Sequence, residues 1–159
     1  MVIKLITVGK LKEKYFREAA EEYEKRLGAY CRVEICETEP VKLPDSPSAA
    51  EIDRALEKEA ERILQKIPAG SYVVPMCIEG KQLTSERFSE LIGRETAGGR
   101  NTLVFIIGGS YGLSDKVKAA ADFKMSMSEM TFPHRLARVM LAEQLYRAFS
   151  LLHNGKYHK

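Results

Sequence analysis

The stretch FIIGGSYGLSD, residues 105–115, has the spacing of a ligand loop. An apolar run empties into Gly108–Gly109, a third glycine follows at Gly112, and Ser114–Asp115 opens the next segment. A strand running into a glycine-rich loop before a helix is a common setting for a phosphate cradle. The spacing argues against that use. A P-loop requires G-x-x-x-x-G-K-[ST], and here Leu113 is followed by Ser114 and Asp115, so the lysine that reads phosphate is missing. The dinucleotide pattern G-x-G-x-x-G fails too, and the loop follows a late strand rather than the first. Two readings remain: a plain turn, or a bare backbone that something must approach closely. A plain turn does not call for the third glycine, Gly112, so a ligand loop is expected.

Charge points to a second place. The net charge is only +3, but residues 1–66 are net −1, residues 67–130 are neutral, and residues 131–159 are net +4. All three histidines, His134, His153 and His158, lie in that basic end. Such an end suits a polyanion such as nucleic acid; the alternative is a solvated tail.

The elements that must position these residues read as follows. VIKLITV (2–8) is a strand, and 11–27 is a helix with Leu11, Tyr15, Ala19, Tyr23 and Leu27 at i, i+4. CRVEICE (31–37) alternates as a strand, and a three-proline loop spans 40–48. Ser48 and Glu51 form a capping box for a helix to about residue 66. SYVVPMCIEG (71–80) is a strand in which Pro75 demands an edge or a bulge. Thr84 caps a helix over 85–97 that Gly98–Gly99 stops. NTLVFII (101–107) is apolar on both faces, as a buried central strand must be. Ser114 caps a short helix to about 121, FKMSMS (123–128) alternates as a strand, and Pro133 starts a last helix to about Leu152. Strand and helix alternate throughout, which predicts one α/β domain over 1–159, with a mainly parallel sheet and helices on both faces.

The last helix is apolar on two sides: Leu141, Leu145, Ala148, Phe149 and Leu152 on one, Leu136, Met140 and Leu151 on the other. One side packs on the sheet; the other is expected to form a homodimer. No C-x-x-C occurs among the three cysteines, so neither a zinc site nor a redox pair is expected, and reduced thiols suit a cytoplasmic protein. The first apolar run is broken at Lys4 and over by Gly9, unlike a signal peptide, and no run reaches the ~20 residues of a membrane span.

IIGGSYGLS, MSMSEMTFPHRLARVMLAEQLYRA and the terminal YHK together resemble the SPOUT class of RNA methyltransferases over the whole chain. The resemblance implies an α/β sheet with a C-terminal trefoil knot, which periodicity cannot reveal because knots are nearly absent elsewhere. It implies S-adenosylmethionine as cofactor, held by Met76, Gly108, Met127, Ser128, Glu129, Met130, Thr131 and Phe132. It implies a homodimer through the last helix and knot. It also implies a substrate: N3 of a pseudouridine in 23S rRNA, methylated on the large subunit or the 70S ribosome. Adenosylmethionine carries a sulfonium and no phosphate, so a loop without lysine suits it, and adenine asks for apolar walls with a few backbone hydrogen bonds.

N3 methylation of a uracil-type ring removes an imide proton and presents the nitrogen in line with the methyl group. His134 is the first candidate base. It sits in a first helical turn, where the dipole keeps imidazole neutral; the alternative is that it only positions. Glu143 and Arg147 are i, i+4 and pair. They and Arg138 either organise the RNA site or form structural ion pairs. The resemblance places the tail in the substrate pocket, in the partner's site. There Tyr157 and His158 are further catalytic candidates, and Tyr157 and Lys159, with Arg138 and Arg147, are RNA contacts. Lys156 stands where many relatives have proline. Two other readings stay open: a dimer that binds RNA or the ribosome without catalysis, and a different α/β enzyme with a nucleotide in the glycine loop.

Overall fold

The computed structural model describes residues 1–158. Lys159, expected to contact RNA, lies outside them. The element order is β1 (Val2–Val8), α1 (Lys14–Leu27), β2 (Arg32–Thr38), α2 (Ala49–Leu64), β3 (Tyr72–Gln82), α3 (Ser85–Ala97), β4 (Thr102–Ile107), α4 (Asp115–Ala119), β5 (Met125–Ser126) and α5 (His134–Leu152). The strands form one sheet in the order β2-β1-β4-β3-β5, and every pairing is parallel.

Alternation along the central strands divides the core in two. Ile3, Leu5, Leu103, Phe105 and Val74 face a layer formed by α1, α3 and α5, where they meet Leu27, Phe88, Ile92, Leu141 and Leu145. Ile6, Val8, Val104 and Ile106 face α2 and α4, against Ala60, Ile63 and Val117. Helices therefore cover both faces, as a parallel sheet requires. Cys31 joins the first cluster and Cys36 packs on the second. Burial pushes the Cys31 thiol up to about 11, so it stays protonated and unreactive at neutral pH.

Local signals hold at several ends. The Ser48 side chain accepts from the Glu51 N–H at 3.2 Å, while Glu51 accepts from the Ser48 N–H at 2.8 Å. Ser48→Ala is expected to cost ~1 kcal/mol, read as a fall of about 2–4 °C in Tm by calorimetry. Thr84 and Ser114 cap α3 and α4 as expected. Pro133 is the N-cap of α5 rather than its first helical residue.

Of the two alternatives for Pro75, an edge or a bulge, the structure has the bulge: β3 runs between β4 and β5, and its register with β5 shifts between Met76 and Lys81, just past the proline. Two expectations need correction. The strand expected over 123–128 shrinks to Met125–Ser126, because beyond Ser126 the serine hydroxyls bond to the backbone and bend the chain. Leu152 is 40% exposed instead of sharing the buried face of α5, because the helix ends there and the chain turns away at Asn154 (φ 54°). α5 itself packs between α1 and α3, which cover much of both its sides.

Candidate methyl-donor site

The C-terminal ends of adjacent parallel strands are where open α/β sheets bind ligands. Here β4 ends at Ile107 beside Met76, where β3 runs on, and a cavity of about 880 Å³ opens there. Three separated segments line it: Met76–Glu79 from β3, Ile107–Leu113 after β4, and Ser126–His134 leading into α5. Of the residues expected to hold a cofactor, Met76, Gly108, Met127, Ser128, Met130, Thr131 and Phe132 line this cavity. Glu129, between Ser128 and Met130, is exposed and does not line it.

The glycine loop is built differently from the expectation. Gly112 adopts φ +80° and its N–H reaches the Gly109 carbonyl at 3.1 Å, closing a tight turn. A Cβ on Gly108 would lie closer than 3.0 Å to the Gly112 carbonyl group. The turn itself therefore accounts for Gly108 and Gly112, and the premise that a turn would not need the third glycine is wrong. The loop nevertheless forms a wall of the cavity with bare backbone. Gly80, which sequence reasoning passed over, has a similar constraint: a Cβ there would strike the Met125 backbone, so glycine lets β5 dock beside β3.

The opposite wall is set by serine. Ser126 Oγ donates to the Ser128 carbonyl at 2.8 Å, and Ser128 Oγ accepts from the Met130 N–H at 3.1 Å. Two successive side-chain turns thus shape the segment. They leave Met130 71% exposed at the mouth. Ile78, Leu113 and Ala137 complete the apolar surface; Leu113 and Ala137 lie within the quoted motifs, whereas no motif marks Ile78. At the rim Lys118 pairs with Glu79 at 2.5 Å. That hydrogen bond holds the Glu79 carboxyl below its usual range.

His134 opens α5 beside Pro133 and faces the cavity. Its pKa is depressed, first by burial and then by the adjacent Arg135 charge. The imidazole is neutral at pH 7, as expected, but desolvation is the leading cause rather than the helix end. Arg135 is tied to Glu13 ahead of α1.

The remaining expected residues lie elsewhere in the chain. Arg138 is 7% exposed and bonds Glu37 at 2.7 Å, with Glu24 at 3.5 Å, joining α5 to β2 and α1. It offers no free edge to RNA from this position. Arg147 pairs with Glu143 at 2.5 Å, as expected, and lies over the Tyr157 ring at 4.6 Å. After Asn154 the Gly155 N–H bonds the Ser150 carbonyl at 2.7 Å, and the tail returns along α5. Tyr157 donates to Glu143 at 3.1 Å, and His158 Nε2 lies 2.8 Å from Glu86. Burial pushes the Tyr157 phenol up to about 12, so it acts as a donor and not as a base. Within one chain, neither Tyr157 nor His158 lines the cavity.

The comparison with known proteins decides what this arrangement belongs to. The sequence matches the family described as "Predicted SPOUT methyltransferase" over residues 1–158. The chain belongs to the SPOUT methyltransferase family. The SPOUT fold supplies what strand order alone does not state, a trefoil knot in the C-terminal part of an α/β sheet. Its members generally use S-adenosylmethionine. The chain is 50% identical over 159 residues, and 100% of both chains, to "Ribosomal RNA large subunit methyltransferase H" of Streptococcus agalactiae (serotype III strain NEM316). Proteins of the same name from Clostridium kluyveri and Limosilactobacillus reuteri are 47% and 48% identical, again over 100% of both chains. A solved structure, that of a probable methylase family protein from Haemophilus influenzae Rd KW20, aligns with TM-score 0.55 at 14% identity. The alignment covers 99% of this chain and 70% of the other, and the likeness is one of fold alone.

Proposed function

We propose that this chain transfers a methyl group from S-adenosylmethionine to N3 of a pseudouridine in 23S rRNA, on the large subunit or the 70S ribosome, in the cytoplasm. The observation that carries this reading is the cavity between β3 and the end of β4: apolar, walled by bare glycine backbone, with neutral His134 at its edge. The full-length relatives at about half identity support the choice of substrate.

The residues present fit the cofactor. Met76, Ile107, Leu113 and Phe132 offer the apolar walls an adenine ring needs, and the Gly108–Gly112 turn offers backbone groups without side chains in front of them. Bound there, adenosylmethionine supplies an electrophilic methyl on a sulfonium. The chain's own task is placement and proton removal. The serine-bent segment 126–132 and the glycine turn hold two sides, and His134 Nδ1 or Nε2 accepts the N3 proton in its neutral form. Two copies associate through the half-exposed Leu136, Met140 and Leu151 of α5 and through the knot. In that dimer Tyr157, His158 and Arg147 reach the partner's substrate site. Tyr157 stacks on a base, and Arg147 and His158 meet RNA phosphate.

The test is calorimetric titration with adenosylmethionine, then tritiated methyl transfer to ribosomes and to free 23S rRNA, followed by nucleoside analysis. Saturable binding, and label recovered as N3-methylpseudouridine from ribosomes, are the expected results. Binding without transfer would leave a non-catalytic RNA-binding dimer as the better description. No binding would refute the methyltransferase reading.

A further inference from the structure

A second cavity, of about 630 Å³, adjoins the first. Gly109, Ser110, Tyr111 and His134 line both, so they form the partition between them. Its floor is apolar, from Val8, Val41, Ile52 and Leu56. Its charged lining is mainly basic. Lys10 and Lys12 come from the loop after β1, Lys42 from the loop after β2, and Arg135 from α5. The three lysines are exposed, and none makes an ion pair among the described residues. The two carboxylates are Glu39 and Glu59, and Glu59 is occupied by the Val41 N–H at 2.9 Å. Tyr111, on the partition, is 50% exposed. An aromatic side chain this exposed, at the edge of an apolar cavity, is a surface for stacking.

We infer that this second cavity receives the nucleotide to be methylated, which rests on the rRNA methyltransferase reading above. The pyrimidine ring enters over the apolar floor, with Tyr111 as a stacking face. Its reacting edge points through the partition toward the first cavity. The flanking phosphates lie on Lys10, Lys12 and Lys42. Several features fit this occupant better than a free small anion. The lining at Val8, Val41, Ile52 and Leu56 is apolar, the three lysines are exposed, and the shared wall contains His134, which also faces the donor cavity. Donor and acceptor then share His134, which a proton transfer at the acceptor nitrogen requires. The geometry also places three unpaired lysines, Lys10, Lys12 and Lys42, beside the reacting position, a local basic surface for RNA on a chain of net charge only +3.

The test compares the wild-type protein with Tyr111→Ala, with the triple variant Lys10→Ala/Lys12→Ala/Lys42→Ala, and with Lys66→Ala as a charge control outside the cavity. KM and kcat for methyl transfer to ribosomes are measured across a salt series, and adenosylmethionine affinity by calorimetry. The triple variant should raise KM about tenfold or more and flatten the log–log salt dependence by roughly 0.7 per lost phosphate contact. Tyr111→Ala should lower kcat/KM about fivefold or more. Cofactor affinity should hold in the triple variant, and Lys66→Ala should behave as wild type. Wild-type KM and salt slope in the triple variant would overturn the assignment. So would a loss of adenosylmethionine affinity parallel to the rise in KM, since the lysines would then serve the donor. If the wild-type protein binds the cofactor but transfers nothing to ribosomes, the rRNA reading fails first and takes this inference with it.

Discussion

Replacing Gly108 with alanine should cost the protein both its methyl-donor affinity and part of its stability. The added Cβ would lie closer than 3.0 Å to the Gly112 carbonyl group, which is backbone and cannot rotate away as a side chain would. Gly108 is buried and follows directly on β4, whose Ile106 and Ile107 are fixed in both core layers, so the strand side cannot yield either. The turn 109–112 must therefore move, opening its closing hydrogen bond. Overpacking of this kind costs about 1–3 kcal/mol, and displacement of a binding wall by about 1 Å is worth roughly 100-fold. Gly112→Ala is the informative contrast. Nothing stands within 4 Å of a Cβ there, and only its φ of +80° resists a side chain. That strain is about 1–2 kcal/mol. Gly108→Ala should accordingly lose far more adenosylmethionine affinity by calorimetry than Gly112→Ala, even where their melting temperatures fall by similar amounts. Equal cofactor affinity in Gly108→Ala and wild type would show that the turn is no wall of the donor site.

His134→Ala should lower kcat for methyl transfer by about 10²–10⁴ while leaving adenosylmethionine binding near wild type. The working form of a base is the unprotonated one. Burial and the Arg135 charge both disfavour the imidazolium, so the folded-state pKa lies below the usual value near 6.5. The rate should thus be flat through neutral pH and fall only as pH drops below about 6.5 through the depressed value. Removing the Arg135 charge shifts this limb: Arg135→Gln should move it toward higher pH, because one of the two depressing influences is gone. A merely structural histidine would not tie the acid limb to residue 135. If His134→Ala retains the wild-type profile, the proton leaves by another route. His158 is then tested by the same profile, since its ring meets Glu86 and Arg147 within this chain.

The boundaries of β1 and α3, and the caps at Ser48, Thr84 and Ser114, were legible because they are local: a side chain two or three residues away completes the hydrogen bond. The two-sided apolar run at 103–107 marked a central strand for the same kind of reason, since each residue's neighbours in sequence share its environment. The cavity lining was legible only through the motif resemblance. Met76 and Phe132 are 56 positions apart in the chain, and nothing in their spacing says that β3, the end of β4 and the segment before α5 meet at one place. Arg138 shows the limit most plainly. The sequence left it between an RNA contact and a structural ion pair; its partners are Glu24 and Glu37, on two other elements far away in the chain.

By itself, then, the sequence determined the α/β alternation, the caps at Ser48, Thr84 and Ser114 and the absence of a phosphate-reading lysine in the 108–115 loop. Each depends on residues within a turn or two of one another. Tertiary structure alone decided that Gly108 and Gly112 serve each other, that Arg138 is sequestered, that the tail lies back on α5 within one chain, and that His134 stands between two cavities. Those outcomes come from parallel strands, whose crossovers bring residues distant in sequence to the same end of the sheet.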